Sequence, residues 1–264
     1  MKTNEFYVMF PVKMFSYNDE SFFIENSDAF LLYFVLGKLS TFQDRTKVLC
    51  NVQMLGAMVT LDNRKSRSTQ RIIDALKTLE LQGYVQIKHE GEKLQDSPLL
   101  EITLLEDFSE SVSGNTKYSG FIKVTEDLFN IADNDSKLFK VLIYVVWRFN
   151  IDYAISFREW ENVLAMSERT VKRLIQGYEK EGKLKVIHGQ HYRDEKGKVR
   201  QYMNKYLVPV VKEKKEKQSP QPVQRIEAET VTKFKEIQEE EIEVQPVPDN
   251  VGVIEDDNGE LKFY

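Results

Sequence analysis

The sequence has 264 residues, 41% of them hydrophobic and 30% charged, a balance that argues against global disorder and suits two domains of about 100–150 residues better than one. The apolar run Val141 to Trp147 falls far short of the roughly 20 residues that cross a bilayer. The polar start at Lys2, Asn4 and Glu5 lacks a secretory apolar region, so the expected location is the cytoplasm with no membrane partner. The formal net charge of −5 is unevenly spread: residues 1–110 carry −4, residues 111–212 carry +6 and residues 213–264 carry −7. From Met166 to Lys205 there are 11 basic residues against 5 acidic ones, so a positive field is local to that stretch. A single cysteine, Cys50, excludes an internal disulfide or a multi-cysteine metal site and reads as a packing residue.

In chain order, Ser27 or Asp28 caps a predicted helix through Phe30, Leu31, Leu32, Phe34, Val35 and Leu36. A short helix over Val52 to Val59 and a third from Ser68 follow, the third carrying Ile72, Ala75, Leu76 and Leu79 at helical spacing. Gly83 ends it and the alternating Tyr84–Ile87 begins a strand. The same order then recurs. Asp135 or Ser136 caps a helix through Leu138, Val141, Leu142, Val145 and Val146, and a short helix covers Phe157 to Ala165. A third starts at Ser167 with Val171, Leu174, Ile175 and Tyr178, Gly182 ends it, and a strand covers Lys183–Val186. At an offset of 99, which sets Ser68 against Ser167, eight small or apolar positions coincide. Three helices followed by a strand hairpin is the order of a winged helix. The expected fold is mainly α with small β hairpins: winged-helix modules over 1–110 and 118–212, then an acidic, mostly disordered tail over 213–264 with one amphipathic helix near 227–242.

The segment Ser167 to Ile175 followed by Tyr178 to Leu184 resembles the recognition helix and first wing strand of many bacterial winged-helix proteins. The module openings, Phe6 to Phe15 and Phe121 to Phe129, are similar to the lead-in of replication proteins from plasmids and phages of Gram-positive bacteria, the initiator and DnaD-like replisome-organiser type. That resemblance covers roughly residues 5 to 210 and supports a fold more than a task. It implies binding of origin DNA, with the tail meeting a helicase, helicase loader or primase.

In the second module the apolar stripe leaves Arg169, Lys172, Arg173 and Gln176 facing outward, with Ser167 and Thr170 near the helix start. Arginine bonds guanine and glutamine bonds adenine bidentately, while hydroxyls at a helix N-terminus suit phosphates. The hairpin from Gln190 to Lys205 places Arg193, Lys196, Lys198 and Arg200 around Gly197, where flexible cations suit phosphates. Its tyrosines, Tyr192, Tyr202 and Tyr206, are expected to pack on the hairpin rather than stack on bases. The first module offers Arg64, Lys65 and Arg67 before its third helix and Gln70 and Arg71 on it, but its hairpin carries Glu90, Glu92, Asp96 and Glu101. Phosphate repels an acidic hairpin, so unequal roles follow: the second module anchors, and the first reads with its helix or serves in dimerisation. A homodimer would suit a palindromic or repeated site, though no heptad pattern argues for it.

No phosphate-binding Gly-x-x-x-x-Gly-Lys-Ser/Thr motif occurs, and His188 and His191 lack the spacing of a nicking-enzyme metal pair. No carboxylate constellation has a recognisable base or nucleophile, so no enzyme activity, cofactor or metal is expected. The sequence therefore leaves open a replication initiator or replisome organiser, a transcriptional regulator with the same DNA readout, and a protein-interaction scaffold.

Overall fold

A computed structural model of the chain describes residues 6–40, 46–113, 116–193, 197–209 and the strand segments 253–255 and 261–263. The chain forms two units, Met1–Glu213 and Lys214–Tyr264. The first begins with strand β1 (Tyr7–Pro11), a 3₁₀ turn (Val12–Phe15) and helix α1 (Ser27–Leu39). Asn26, not Ser27 or Asp28, caps α1: its side chain accepts the Asp28 N–H at 3.0 Å. The Asp28 carboxylate is held elsewhere, by Arg71.

Strand β2 (Lys47–Cys50), α2 (Val52–Met58), α3 (Lys65–Leu81), β3 (Val85–His89) and β4 (Leu100–Leu104) follow. The strands form an antiparallel sheet in the order β2-β4-β3. A small hairpin, β5 (Ser111–Ser113) with β6 (Thr116–Tyr118), leads to the second half. There β7 (Phe121–Thr125) and α4 (Glu126–Ala132) precede α5 (Ser136–Asn150), α6 (Phe157–Leu164) and α7 (Glu168–Lys180). The unit ends in β8 (Lys185–Ile187), β9 (His191–Arg193), β10 (Val199–Gln201) and β11 (Lys205–Leu207). The described residues thus make seven α-helices with small antiparallel sheets, the mainly α composition that the helical periodicity predicts.

The repeat at 99 residues is a repeat of backbone geometry. Gly83 and Gly182 both lie at φ +70. In the first copy Tyr84 N–H reaches Leu79 O at 2.8 Å and Gly83 N–H reaches Glu80 O at 3.0 Å; in the second, Lys183 N–H reaches Tyr178 O and Gly182 N–H reaches Glu179 O, both at 3.0 Å. This paired closure satisfies the last carbonyls of the helix and turns the chain into a strand, and the left-handed residue it needs favours glycine. The third strand differs between copies. Beside β4 lies β2, whereas beside β11 the equivalent place holds a single bridge, Ile155 to Asn204.

The two halves share one core. Residues 28–36 of α1 and 138–145 of α5 are buried without interruption, as helices apolar on every side must be. They pack on each other, with α3 also against α1 and α4 against α5. Rings bridge the seam: Phe15 meets Tyr144 at 5.1 Å, Phe34 meets Phe129 at 5.0 Å and Phe10 meets Phe139 at 6.2 Å. Burying each such side chain contributes about 1.5–3 kcal/mol. Strands β1 and β7 pair antiparallel, from Tyr7 opposite Thr125 to Pro11 opposite Phe121. Antiparallel pairing of the two lead-in strands thus ties the halves together at their starts. The boundary expected between 110 and 118 therefore divides the repeats but not their packing.

Lys140 lies in this seam, wholly buried, donating from α5 to Ile24 O at 2.7 Å and Glu25 O at 3.2 Å. A second buried polar group is the Arg148–Glu159 pair at 2.7 Å, which Tyr144 joins through its hydroxyl. In the second unit, β12 (Val253–Glu255) pairs antiparallel with β13 (Leu261–Phe263). The helix expected near 227–242 lies outside the described residues. No described helix is long and apolar enough to cross a membrane.

Candidate nucleic-acid interface

Helix α7 is held from its inner face by Val171, Ile175 and Tyr178, all buried, and by half-buried Leu174. The Tyr178 hydroxyl donates to Asp135 Oδ2 at 2.9 Å. The other oxygen of that carboxylate accepts the Lys137 and Leu138 N–H groups and so caps α5. Burial, then the Asp135 charge, pushes the Tyr178 phenol up, so it stays a donor. One carboxylate thereby ties α7 to the start of α5.

The outer face presents Arg169, Arg173 and Gln176, spaced i, i+4 and i+7, all exposed. Among the described residues neither arginine has a hydrogen bond or ion pair. Lys172 is more constrained, paired with Glu168 one turn back and lying 5.2 Å over the Phe157 ring. Ser167 stands at the N-cap without bonding a backbone N–H; its hydroxyl lies 3.0 Å from that of Thr170. Two hydroxyls thus stand together at the start of α7, and two open guanidinium groups lie on its outer face.

The hairpin after α7 runs in one continuous register. Lys185 to Ile187 pair with Leu207 to Lys205, and His191 to Arg193 pair with Gln201 to Val199. Between these segments the backbone bond Tyr202 N–H to Gln190 O at 3.0 Å is joined by side-chain bonds: Gly189 N–H to Asn204 Oδ1 at 3.1 Å, and Gln201 Nε2 to Gly189 O at 3.0 Å. A β-carbon at Gly189 would overlap the Tyr202 carbonyl, so glycine is required there by close backbone approach. Gly197 turns the tip at φ +75, and Arg193 donates to its carbonyl at 3.3 Å. Arg193, Lys198 and Arg200 are exposed, while Lys196 lies outside the described residues. Lys205 is tied back to Asp152 at 2.7 Å.

The first half divides differently. Arg64, Lys65 and Arg67 are exposed at the start of α3 and make no ion pair among the described residues. Gln70 is spent on Asp74 one turn on, at 2.8 Å. Arg71, expected on the outward set, is instead a strut: Nε and Nη2 clamp the Asp28 carboxylate at 2.7 and 2.6 Å, and Nη1 donates to Leu61 O. The hydrogen bond to Asp28 raises the guanidinium pKa further. This fork fixes α3 to the start of α1, as Tyr178 fixes α7 to α5. In the hairpin, Glu90, Glu92 and Asp96 are exposed and Lys88 is paired with Glu101 at 3.0 Å, so the opposite charge of the two hairpins holds in three dimensions.

Local sequence could not reveal Asn204, which is buried and joins two strands to the α5–α6 connection. The signal for Gly189 is its position between two strand-forming runs. An open cleft of about 840 Å³ between the halves is lined by Glu20, Glu25, Asp28, Arg71, Lys137 and Met166 among others. Its charges are mixed and its one clamped pair is structural. Among the described residues no group of three or more metal-ligating side chains occurs. Comparison with protein-family models, curated proteins and solved structures finds no match for the chain.

Proposed function

We propose that the chain is a sequence-specific double-stranded DNA-binding protein of two tandem winged-helix modules. In this reading it acts without enzymatic activity in the cytoplasm, as a replication initiator or replisome organiser of the plasmid and phage type. The supporting observation is the pairing of the open Arg169–Arg173–Gln176 face of α7 with a cationic hairpin directly behind it in the chain. As a recognition helix, α7 enters the major groove, and its arginines and glutamine meet base edges. Arg193, Lys196, Lys198 and Arg200 follow the phosphates. Arg64, Lys65 and Arg67 give α3 a weaker contact, because the acidic hairpin beside it meets no phosphate; the same module serves in dimerisation if α3 makes no contact. Residues 213–264 would recruit a helicase, loader or primase.

Footprinting with a salt titration tests this. Repeated protected sites at a replication origin, with affinity falling steeply as salt rises, are the expected result. One protected palindrome at a promoter would make the protein a transcriptional regulator. A weak, salt-independent response would remove DNA altogether and leave an interaction scaffold.

A further inference from the structure

The cationic hairpin carries a second chemical feature that phosphate binding does not use. Tyr192 and Tyr202 stack on one another, ring centroids 4.5 Å apart and planes at 27°, yet remain 40% and 60% exposed. The register sets Tyr192 opposite Arg200, so these two project from one face, and Tyr202 joins that face by stacking on Tyr192. Its strand is fixed there by Tyr202 N–H to Gln190 O at 3.0 Å. The hairpin of the first half has neither element: its loop carries Glu90, Glu92 and Asp96, and no phenylalanine, tyrosine or tryptophan occurs between Val85 and Leu104. Such rings and a cationic tip occur together on one hairpin and are both missing from the other.

We infer that the Tyr192–Tyr202 pair, with Arg200 beside it, is a stacking platform for unpaired bases, so that the protein binds single-stranded DNA through this hairpin as well as duplex. The inference rests on the DNA-binding reading above. In a duplex every base face is covered by its neighbours, and exposed rings gain only sugar contacts. An unpaired base offers a free face, and the already stacked pair presents its outer ring surfaces with little ordering left to do. Neighbouring Arg193, Lys198 and Arg200 supply the positive charge that draws in the strand. As expected, Tyr192 and Tyr202 pack on the hairpin, against each other, and the stacked pair still leaves ring surface open.

Fluorescence anisotropy with the full chain tests this, using an oligothymidylate, an abasic oligomer of equal length and a random-sequence duplex. Wild type should bind the oligothymidylate about tenfold or more tighter than the abasic strand, the gain one stacked base supplies. Joint replacement Tyr192→Ser with Tyr202→Ser should erase that preference while leaving duplex affinity within about twofold. Joint Tyr192→Phe with Tyr202→Phe should restore it. Equal binding of the two single strands by wild type, or an undiminished preference in the serine variant, overturns the platform. If the serine variant fails to fold, as read by its thermal melt, the wild-type comparison decides alone. Duplex binding retained without a base-dependent term sinks only this inference, whereas loss of duplex binding in wild type sinks the DNA reading itself.

Discussion

Replacing Lys140 by methionine should abolish a pH dependence that the seam between the two halves imposes on the fold. The ammonium is wholly buried, bonded to two carbonyls, with the Phe23 and Phe30 ring centroids 4.9 and 5.0 Å away. Burial pushes its pKa down to about 7, against a smaller upward pull from Glu25. An unfolded lysine keeps its proton to about pH 10.4. Between those values the unfolded chain binds more protons than the folded one, so stability rises with pH by up to about 1.4 kcal/mol per unit. The penalty is complete below about pH 7 and is relieved above it. Cys50 limits the window: burial pushes its thiol up to about 11, and above roughly pH 8.5 the unfolded chain loses a proton that the folded chain keeps. From pH 7 to 8.5 the expected gain for the wild type is therefore about 1–2 kcal/mol. Lys140→Met should flatten that rise. It also strands the Ile24 and Glu25 carbonyls at a cost of about 1–3 kcal/mol, so the slope rather than absolute stability is diagnostic. Urea unfolding of both proteins across the window reads it, and parallel slopes would refute the reasoning.

The double change Arg169→Ala with Arg173→Ala should lower the salt slope of duplex binding by about 0.9 for each phosphate no longer neutralised, or cost about 1–3 kcal/mol at one base position where the arginine meets a base. If both slope and sequence preference stayed as in wild type, α7 would not be the reading helix. Arg71→Ala leaves the largely buried Asp28 carboxylate without its clamp and should cost about 1–3 kcal/mol in urea unfolding, with the salt slope unchanged. A lower slope with unchanged stability would return Arg71 to the DNA-contacting set. Gly189→Ala drives a β-carbon into the Tyr202 carbonyl and should weaken duplex binding several-fold by displacing the hairpin, while the helical circular-dichroism signal persists; unaltered affinity would mean that the hairpin does not touch DNA.

What the sequence discloses follows from the range of the interactions. The helix closures at Gly83 and Gly182 depend on neighbours within five residues, and both are readable from glycine and the flanking periodicity. Helical spacing points Arg71 outward because it reports only the angle around α3, whereas the actual partner, Asp28, lies 43 residues away. Lys140 is the same failure in reverse. The apolar positions Leu138, Val141, Leu142 and Val145 predict one buried stripe, but α5 is covered on its remaining sides too, so a lysine outside the stripe is sealed in. The β1–β7 pairing carries no local signature, since it depends on two lead-in strands more than 100 residues apart meeting antiparallel. On α7 the outward Arg169, Arg173 and Gln176 are legible because that face meets no other element, and the Lys172 pair with Glu168 is a one-turn contact of the same local kind; the approach of Lys172 to the Phe157 ring is not legible.

The shared core bears on why the two hairpins carry opposite charge. In a symmetric homodimer both copies must present the same residues, so an acidic hairpin would face phosphate wherever its twin did. Here the two halves are different sequences joined in one chain, and β1 against β7 and α1 against α5 hold them together without any cost of association. One half can then keep its cations at the hairpin while the other exchanges them for Glu90, Glu92 and Asp96 and still remain docked. Under the DNA reading, repulsion from phosphate turns that acidic loop away from the duplex, toward solvent or toward a basic surface on another protein. Under that same reading the asymmetry is a division of labour that a symmetric homodimer could not make, with α7 and its hairpin assigned to DNA and the first half left to meet something else.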